Sequence, residues 1–163
     1  MCSCVAISTM TRFRVVWVTG MLMVVGGCPA THPVPDSDTH PPPPERILVP
    51  TYLEAAPGTG VVSVTRDAGS EGSGSSCTLQ VRIDARPVAI LRPSERVILH
   101  LAPGKHVLSV TEEEGGVGIA ACGPGNAGNA PMHSLQVTVA PEHPVGARIG
   151  FDSTGGIHLT QTN

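Results

Sequence analysis

The sequence predicts an all-β fold, a small β-sandwich of about eight short strands. Three observations point there. From Ile47 onward apolar residues recur at every second position, the period of a half-buried strand. Gly, Pro, Asp and Ser gather between these runs and supply turns. No window beyond residue 47 carries a helical period, and aromatics make up only 2% of the chain, so the core is expected to be aliphatic.

The strands follow in order. V-V-S-V-T-R (61–66) runs into D-A-G. T-L-Q-V-R-I-D (78–84) alternates Leu79, Val81 and Ile83 with polar residues. P-V-A-I-L (87–91) follows a turn at D-A-R. R-V-I-L-H-L (96–101) places Val97, Leu99 and Leu101 on one face. P-G at 103–104 turns the chain into H-V-L-S-V-T (106–111). H-S-L-Q-V-T-V (133–139), A-R-I-G-F-D (147–152) and, after S-T-G-G, I-H-L-T (157–160) complete the set. This spacing suits a sandwich or a small barrel. Two glycine-rich loops interrupt it, 67–77 and 112–131, and each carries one cysteine.

Ahead of this domain the chain changes character. Arg12 and Arg14 precede the uncharged apolar run V-V-W-V-T-G-M-L-M-V-V, residues 15–25. A bilayer span needs about 20 apolar residues. This run is shorter and has the length of the apolar region of a secretory signal. M-T-R-F-R from Met10 is a more typical signal start than Met1, so Cys2 and Cys4 are expected either to leave with the signal or not to be translated. Residues 29–46 hold seven prolines and almost no large apolar side chain. They are expected to form a polyproline II or disordered tether, reaching on the order of 50 Å at about 3.1 Å per residue. The expected organisation is a signal over 1–27, Cys28 and its linker over 28–46, and the sandwich over 47–163.

The segment V-V-G-G-C, ending at Cys28, resembles the lipobox of bacterial lipoproteins. The resemblance implies that the Cys28 thiol carries a diacylglyceryl group and that a signal peptidase cuts just before it. Val25 stands where Leu is commonest in that motif, and Gly26 where Ala or Ser is usual. An ordinary secretory signal, cut nearby without lipid, is the alternative. One acyl chain binds a membrane marginally and two hold it stably. The membrane is therefore an expected partner without any transmembrane helix. Pro29 lacks the Asp that favours inner-membrane retention in lipoproteins of diderm bacteria, which leans toward the outer membrane.

Cys77 and Cys122 remain. An exported protein meets an oxidising compartment, and these two are expected to form a disulfide. Two cysteines so far apart, with no neighbouring ligand set, make a poor zinc site. A catalytic thiol would need a base such as His106 or His133.

V-T-R-D-A-G…G-S-S-C, then V-R-I-D-A-R-P-V-A-I-L-R-P-S-E-R-V, L-A-P-G-K-H-V-L-S-V and a later C-G resemble a group of uncharacterised bacterial lipoproteins. Their pattern runs V-T-R-D-x-G, a cysteine, I-D-G-x-x-V-A-x-L, G-E and P-G-x-H, and its hairpins are in the style of PEGA-like surface domains. The resemblance covers about residues 61–160 and implies a β domain at the cell envelope. It brings no catalytic residues. Ala85 and Ser94 stand where that pattern has Gly, a residue that supplies positive φ. Those two turns are accordingly expected to be of a different type.

Little else carries chemistry. The net charge is −3 with no basic cluster, which argues against nucleic acid. G-S-E-G-S-G-S-S lacks the Lys-Ser/Thr of a phosphate loop. Glu112, Glu113 and Glu114 lack the spacing of cation ligands and read as a solvated loop. Asp67, Asp84 and Glu95 sit at turns and are expected to make local hydrogen bonds. His100, His106 and His133 lie on different strands and read as surface or cross-strand residues. Past Cys28 only Tyr52 and Phe151 are aromatic, which is thin for a sugar platform. The expected role is structural or interactive: a lipid-anchored module meeting an envelope protein, with no enzymatic activity, cofactor or metal. A ligand or inhibitor module built on the two glycine-rich loops is the alternative.

Overall fold

The computed structural model describes residues 31–69, 78–112, 132–152 and 156–162. Cys28, Cys77 and Cys122 lie outside the described residues. Eight strands run where the alternation predicts them. They are β1 (Gly60–Arg66), β2 (Leu79–Ile83), β3 (Arg86–Leu91), β4 (Arg96–Leu101), β5 (Gly104–Glu112), β6 (His133–Val139), β7 (Val145–Phe151) and β8 (Ile157–Thr162). They form two four-stranded sheets, ordered β4-β1-β7-β8 and β3-β2-β5-β6. The sheets pack face to face, with β3 beside β4 at one side and β6 beside β8 at the other. Neighbouring strands are antiparallel except β1 and β7, which run parallel from Val62–Val145 to Arg66–Ile149.

Period two sorts the faces as well as the strands. Val62 and Val64, Val97, Leu99 and Leu101, and Val145, Ala147 and Ile149 point in from one sheet. Leu79, Val81 and Ile83, Leu108 and Val110, and Val137 and Val139 meet them from the other. Each of the Val, Leu and Ile side chains contributes roughly 1.5–3 kcal/mol of burial. Among the described residues the core is aliphatic, with Phe151 its one buried ring and Tyr52 packed at its margin.

Ala85 and Ser94 correct one expectation. Both keep left-handed backbone, at φ 67° and 62°, and Asp84 joins them at 49°. The two-residue β2–β3 connection has positive φ at both central positions, a type I′ turn whose twist matches the flanking strands. At the β3–β4 connection the Glu95 N–H donates to the Arg92 carbonyl, with Pro93 and Ser94 between them. Proline second and positive φ third make this a type II turn. The Ser94 N–H donates to Arg66 O, and the Arg66 N–H to Glu95 O, which adds a bulge with its left-handed residue at Ser94.

The proline-rich tract is the second correction. It has the expected polyproline II dihedrals, with Pro35 at φ −56°, ψ 146° and Pro43 at −65°, 156°. It is not a free spacer, however. From Thr31 it lies on the sandwich, through short 3-10 turns at Asp36–Asp38, Pro44–Arg46 and Pro50–Leu53. His32 bridges Ala68, His40 bridges Glu95 and Ile47 bridges Ala89. Val34 and Val49 are buried, and Val49 joins the core. The physical reason is that the β3/β4 side of the sandwich needs a cover. A proline tract is already extended and loses little entropy when it provides one.

Candidate functional site

Glu95 holds the tract and the turn together. Its carboxylate is 3% exposed and takes both arms of the Arg46 guanidinium, one at 2.5 Å. The Arg92 N–H donates to Oε2 at 2.7 Å, and His40 Nε2 lies 3.8 Å from Oε1. Burial pushes this carboxyl up, but the Arg46 hydrogen bonds, the Arg92 N–H and the charges of Arg46 and His40 outweigh it and hold it below its ordinary value. Asp36 adds an ion pair to Arg96 at 2.7 Å.

Two more charged groups close the end of the core at this side. Arg66 shares the inward parity of Val62 and Val64 and is 1% exposed. Its guanidinium lies 5.6 Å from the Phe151 ring centroid and donates to Leu91 O at 2.9 Å. Burial lowers its pKa to about 10, against the pull of Glu95, so it stays cationic at neutral pH. Asp67 accepts from Arg148 Nη1 at 3.0 Å and from the Val34 N–H at 3.4 Å. Burial still raises its pKa, outweighing Arg148, Val34 and His158. Arg148 also donates to Val34 O.

Asp84 and His106 pair at the opposite end. His106 Nδ1 meets Asp84 Oδ2 at 2.7 Å, and Nε2 meets Ala102 O at 2.9 Å. Both partners are acceptors, so the ring satisfies both only as an imidazolium. Among the described residues no nucleophile stands at this pair, and its geometry is that of a hairpin clasp.

The edge of β4 is only partly covered: the 3-10 turn at Pro50–Leu53 packs against the strand, and beside it the surface opens. His40 donates its N–H to Ser94 O and accepts from the Arg96 N–H, one rung of a parallel ladder. The next rung would need an N–H two residues on, at Pro42, and proline has none. The ladder stops there. Pairing with β1 puts Val97, Leu99 and Leu101 inward and turns the backbone groups of Ile98 and His100 toward the free edge. They have no backbone partner among the described residues. Beside them runs a groove of 460 Å³, lined mainly by Pro41, Pro42, Pro44, Ile47, Leu53 and Ile98. Ile98 is 47% exposed.

Asp84 and Glu95 do sit at turns as expected, and Asp67 extends β1 against Ile149 O, but the strongest partners of all three are distant in sequence. The inward parity of Arg66 could have been read from Val62 and Val64. Nothing in the sequence links Arg46 to Glu95 or Arg148 to Asp67. His100, His106 and His133 are not brought together; His106 pairs with Asp84 instead. Among the described residues no three His, Cys, Asp or Glu side chains converge as a metal would require. No helix among them is long and apolar enough to cross a membrane.

The register sets Leu79, two residues after Cys77, opposite Glu112, where the segment carrying Cys122 departs. Comparison with family models, with curated proteins and with solved structures finds no match to this chain.

Proposed function

We propose that this chain is a lipid-anchored lipoprotein of the bacterial cell envelope whose sandwich binds a protein partner along β4. The observation that carries the interaction role is the half-open β4 edge over an apolar groove. Unpaired strand groups favour an extended chain, which gains main-chain bonds along the edge and specificity from side chains in the groove. The anchor rests on the basic-then-apolar start and on the V-V-G-G-C segment ending at Cys28. The resemblance to uncharacterised lipoproteins with PEGA-like domains fits this reading. Its shared residues, Arg66, Asp67, Asp84, Glu95 and His106, hold turns and ends of the sandwich, so the pattern speaks for a scaffold more than for a reaction. A disulfide between Cys77 and Cys122 belongs to the same proposal.

The test places a photo-crosslinking residue at Ile98 and, as a control, at Thr138 on the other sheet. Intact envelopes are irradiated with and without His100→Pro. That substitution removes an outward N–H together with the imidazole, and edge strands accept proline. A discrete protein adduct from position 98, absent from 138 and lost with His100→Pro, is expected. Equal adducts from both positions, or an adduct to glycan alone, would sink the reading.

A further inference from the structure

We infer that the Thr31 end of the sandwich faces the membrane surface, an orientation that depends on the Cys28 anchor proposed above. Thr31 is clamped to the end of β7. Its N–H donates to Phe151 O at 3.2 Å, and its hydroxyl accepts the Phe151 N–H at 2.8 Å. His32 and Ala68 exchange backbone bonds at 3.3 and 3.1 Å just beyond. Cys28 precedes Thr31 by only three residues. Whatever their conformation, three residues reach at most about 11 Å. A lipid on Cys28 thus holds Thr31 within about that distance of its attachment point and turns this end of the sandwich toward the membrane.

Topology says which end faces the lipid. β1, β3, β5 and β7 end, and β2, β4, β6 and β8 begin, at the Thr31 end. Met132, 58% exposed, lies there beside the start of β6. The Asp84–Ala85 turn, Pro103 and Glu142 lie at the far end, with β4 along the flank. A strand the length of β5 puts the two ends on the order of 20–30 Å apart. The free edge of β4 stays accessible to an extended partner from the side.

Tryptophan reads this directly, because the only one in the sequence is Trp17, ahead of Cys28. The mature acylated protein, beginning at Cys28 and carrying Met132→Trp or Glu142→Trp, is reconstituted into phosphatidylglycerol/phosphatidylethanolamine vesicles with spin-labelled headgroups. Emission from Met132→Trp is expected to be quenched several-fold more than from Glu142→Trp. Asp152→Trp and Lys105→Trp form an independent pair should the first perturb folding. Inserting a Gly/Ser segment of about a dozen residues before Thr31 is expected to erase the difference. Equal quenching at both ends, with intact mass showing acyl groups on Cys28, overturns the orientation and leaves the anchor standing. An unmodified Cys28 overturns the anchor and the orientation with it.

Discussion

Arg46 grips Glu95 with both arms across 49 positions of sequence. This pair joins the proline-rich tract to the β3–β4 turn, and it is the strongest polar link between them. Removing the cation leaves a buried carboxylate with the Arg92 N–H as its main partner. Breaking such a pair costs about 3 kcal/mol. Arg46→Ala is therefore expected to lower stability by that order and to release the tract. Hydrogen exchange would read this as faster exchange at the His40, Arg46 and Leu48 amides, with the β2 and β5 amides less affected. Adding Glu95→Gln to Arg46→Ala should recover part of the loss, since no charge is then stranded. A double variant as unstable as the single would show that the pair is not the link.

Ser94 and Ala85 hold left-handed backbone without being glycine. An L-residue in that region costs about 1 kcal/mol or a little more, and glycine gives back part of this through its looser unfolded chain. Ser94→Gly and Ala85→Gly are each expected to raise stability by about 0.5 kcal/mol. Ala85→Gly also turns Asp84-Ala85 into Asp-Gly, the preferred pair for this hairpin. Thermal unfolding would show the gain, and a lower midpoint for both would mean that the side chains contribute more than the strain costs.

Those two positions show how far the sequence could be read. The strands were legible because one face of each is buried, and burial writes period two into the residues. Val62 and Val64 even fix the parity that sends Arg66 inward. The turns were legible as places but not as shapes, since Ala85 and Ser94 adopt a conformation that surrounding pairs impose. The docked tract was hidden for another reason. Its prolines announce an extended chain, and an extended chain free in solvent has the same composition as one lying on a sheet edge. Only the partners distinguish them, and Glu95, Ala68 and Ala89 are remote in sequence. The open edge of β4 was equally silent, because it depends on Pro42 falling where a ladder N–H was required.

Asp84 and His106 give the fold a pH dependence whose sign follows from two opposite shifts. The Val107 N–H, then the His106 hydrogen bond, hold the Asp84 carboxyl below its usual value. That contribution is present above about pH 4 and is lost as pH falls through the depressed folded value. Burial lowers the His106 pKa, but Asp84 and Ala102 O outweigh it and raise the ring above its usual value. That contribution is full below about pH 6.5 and is lost as pH rises through the raised folded value. The clasp therefore adds most between those limits. NMR titration should give a raised His106 midpoint, and Asp84→Asn should bring it down. The stability difference between wild type and Asp84→Asn should be largest near pH 5 and shrink on either side. A difference that grows steadily toward pH 9 would contradict the clasp.

The cysteine pair supplies the last prediction, which follows from the proposed envelope location. Leu79 faces Glu112 across β2 and β5, so the chain leading from Cys77 and the segment carrying Cys122 leave adjacent strand ends. A cross-link there would close a loop of roughly 45 residues and stabilise the fold by about 4 kcal/mol through the unfolded chain. Native strain or residual unfolded structure would reduce that figure. Reduction, or the double substitution Cys77→Ala with Cys122→Ala, is expected to lower the denaturation midpoint by a matching amount. Each single substitution should do the same and leave one thiol that reacts with a maleimide. The intact mass of the oxidised protein should be two hydrogens below the reduced form. Two thiols free to alkylation in protein taken from the envelope, or a midpoint indifferent to reductant, would exclude the cross-link.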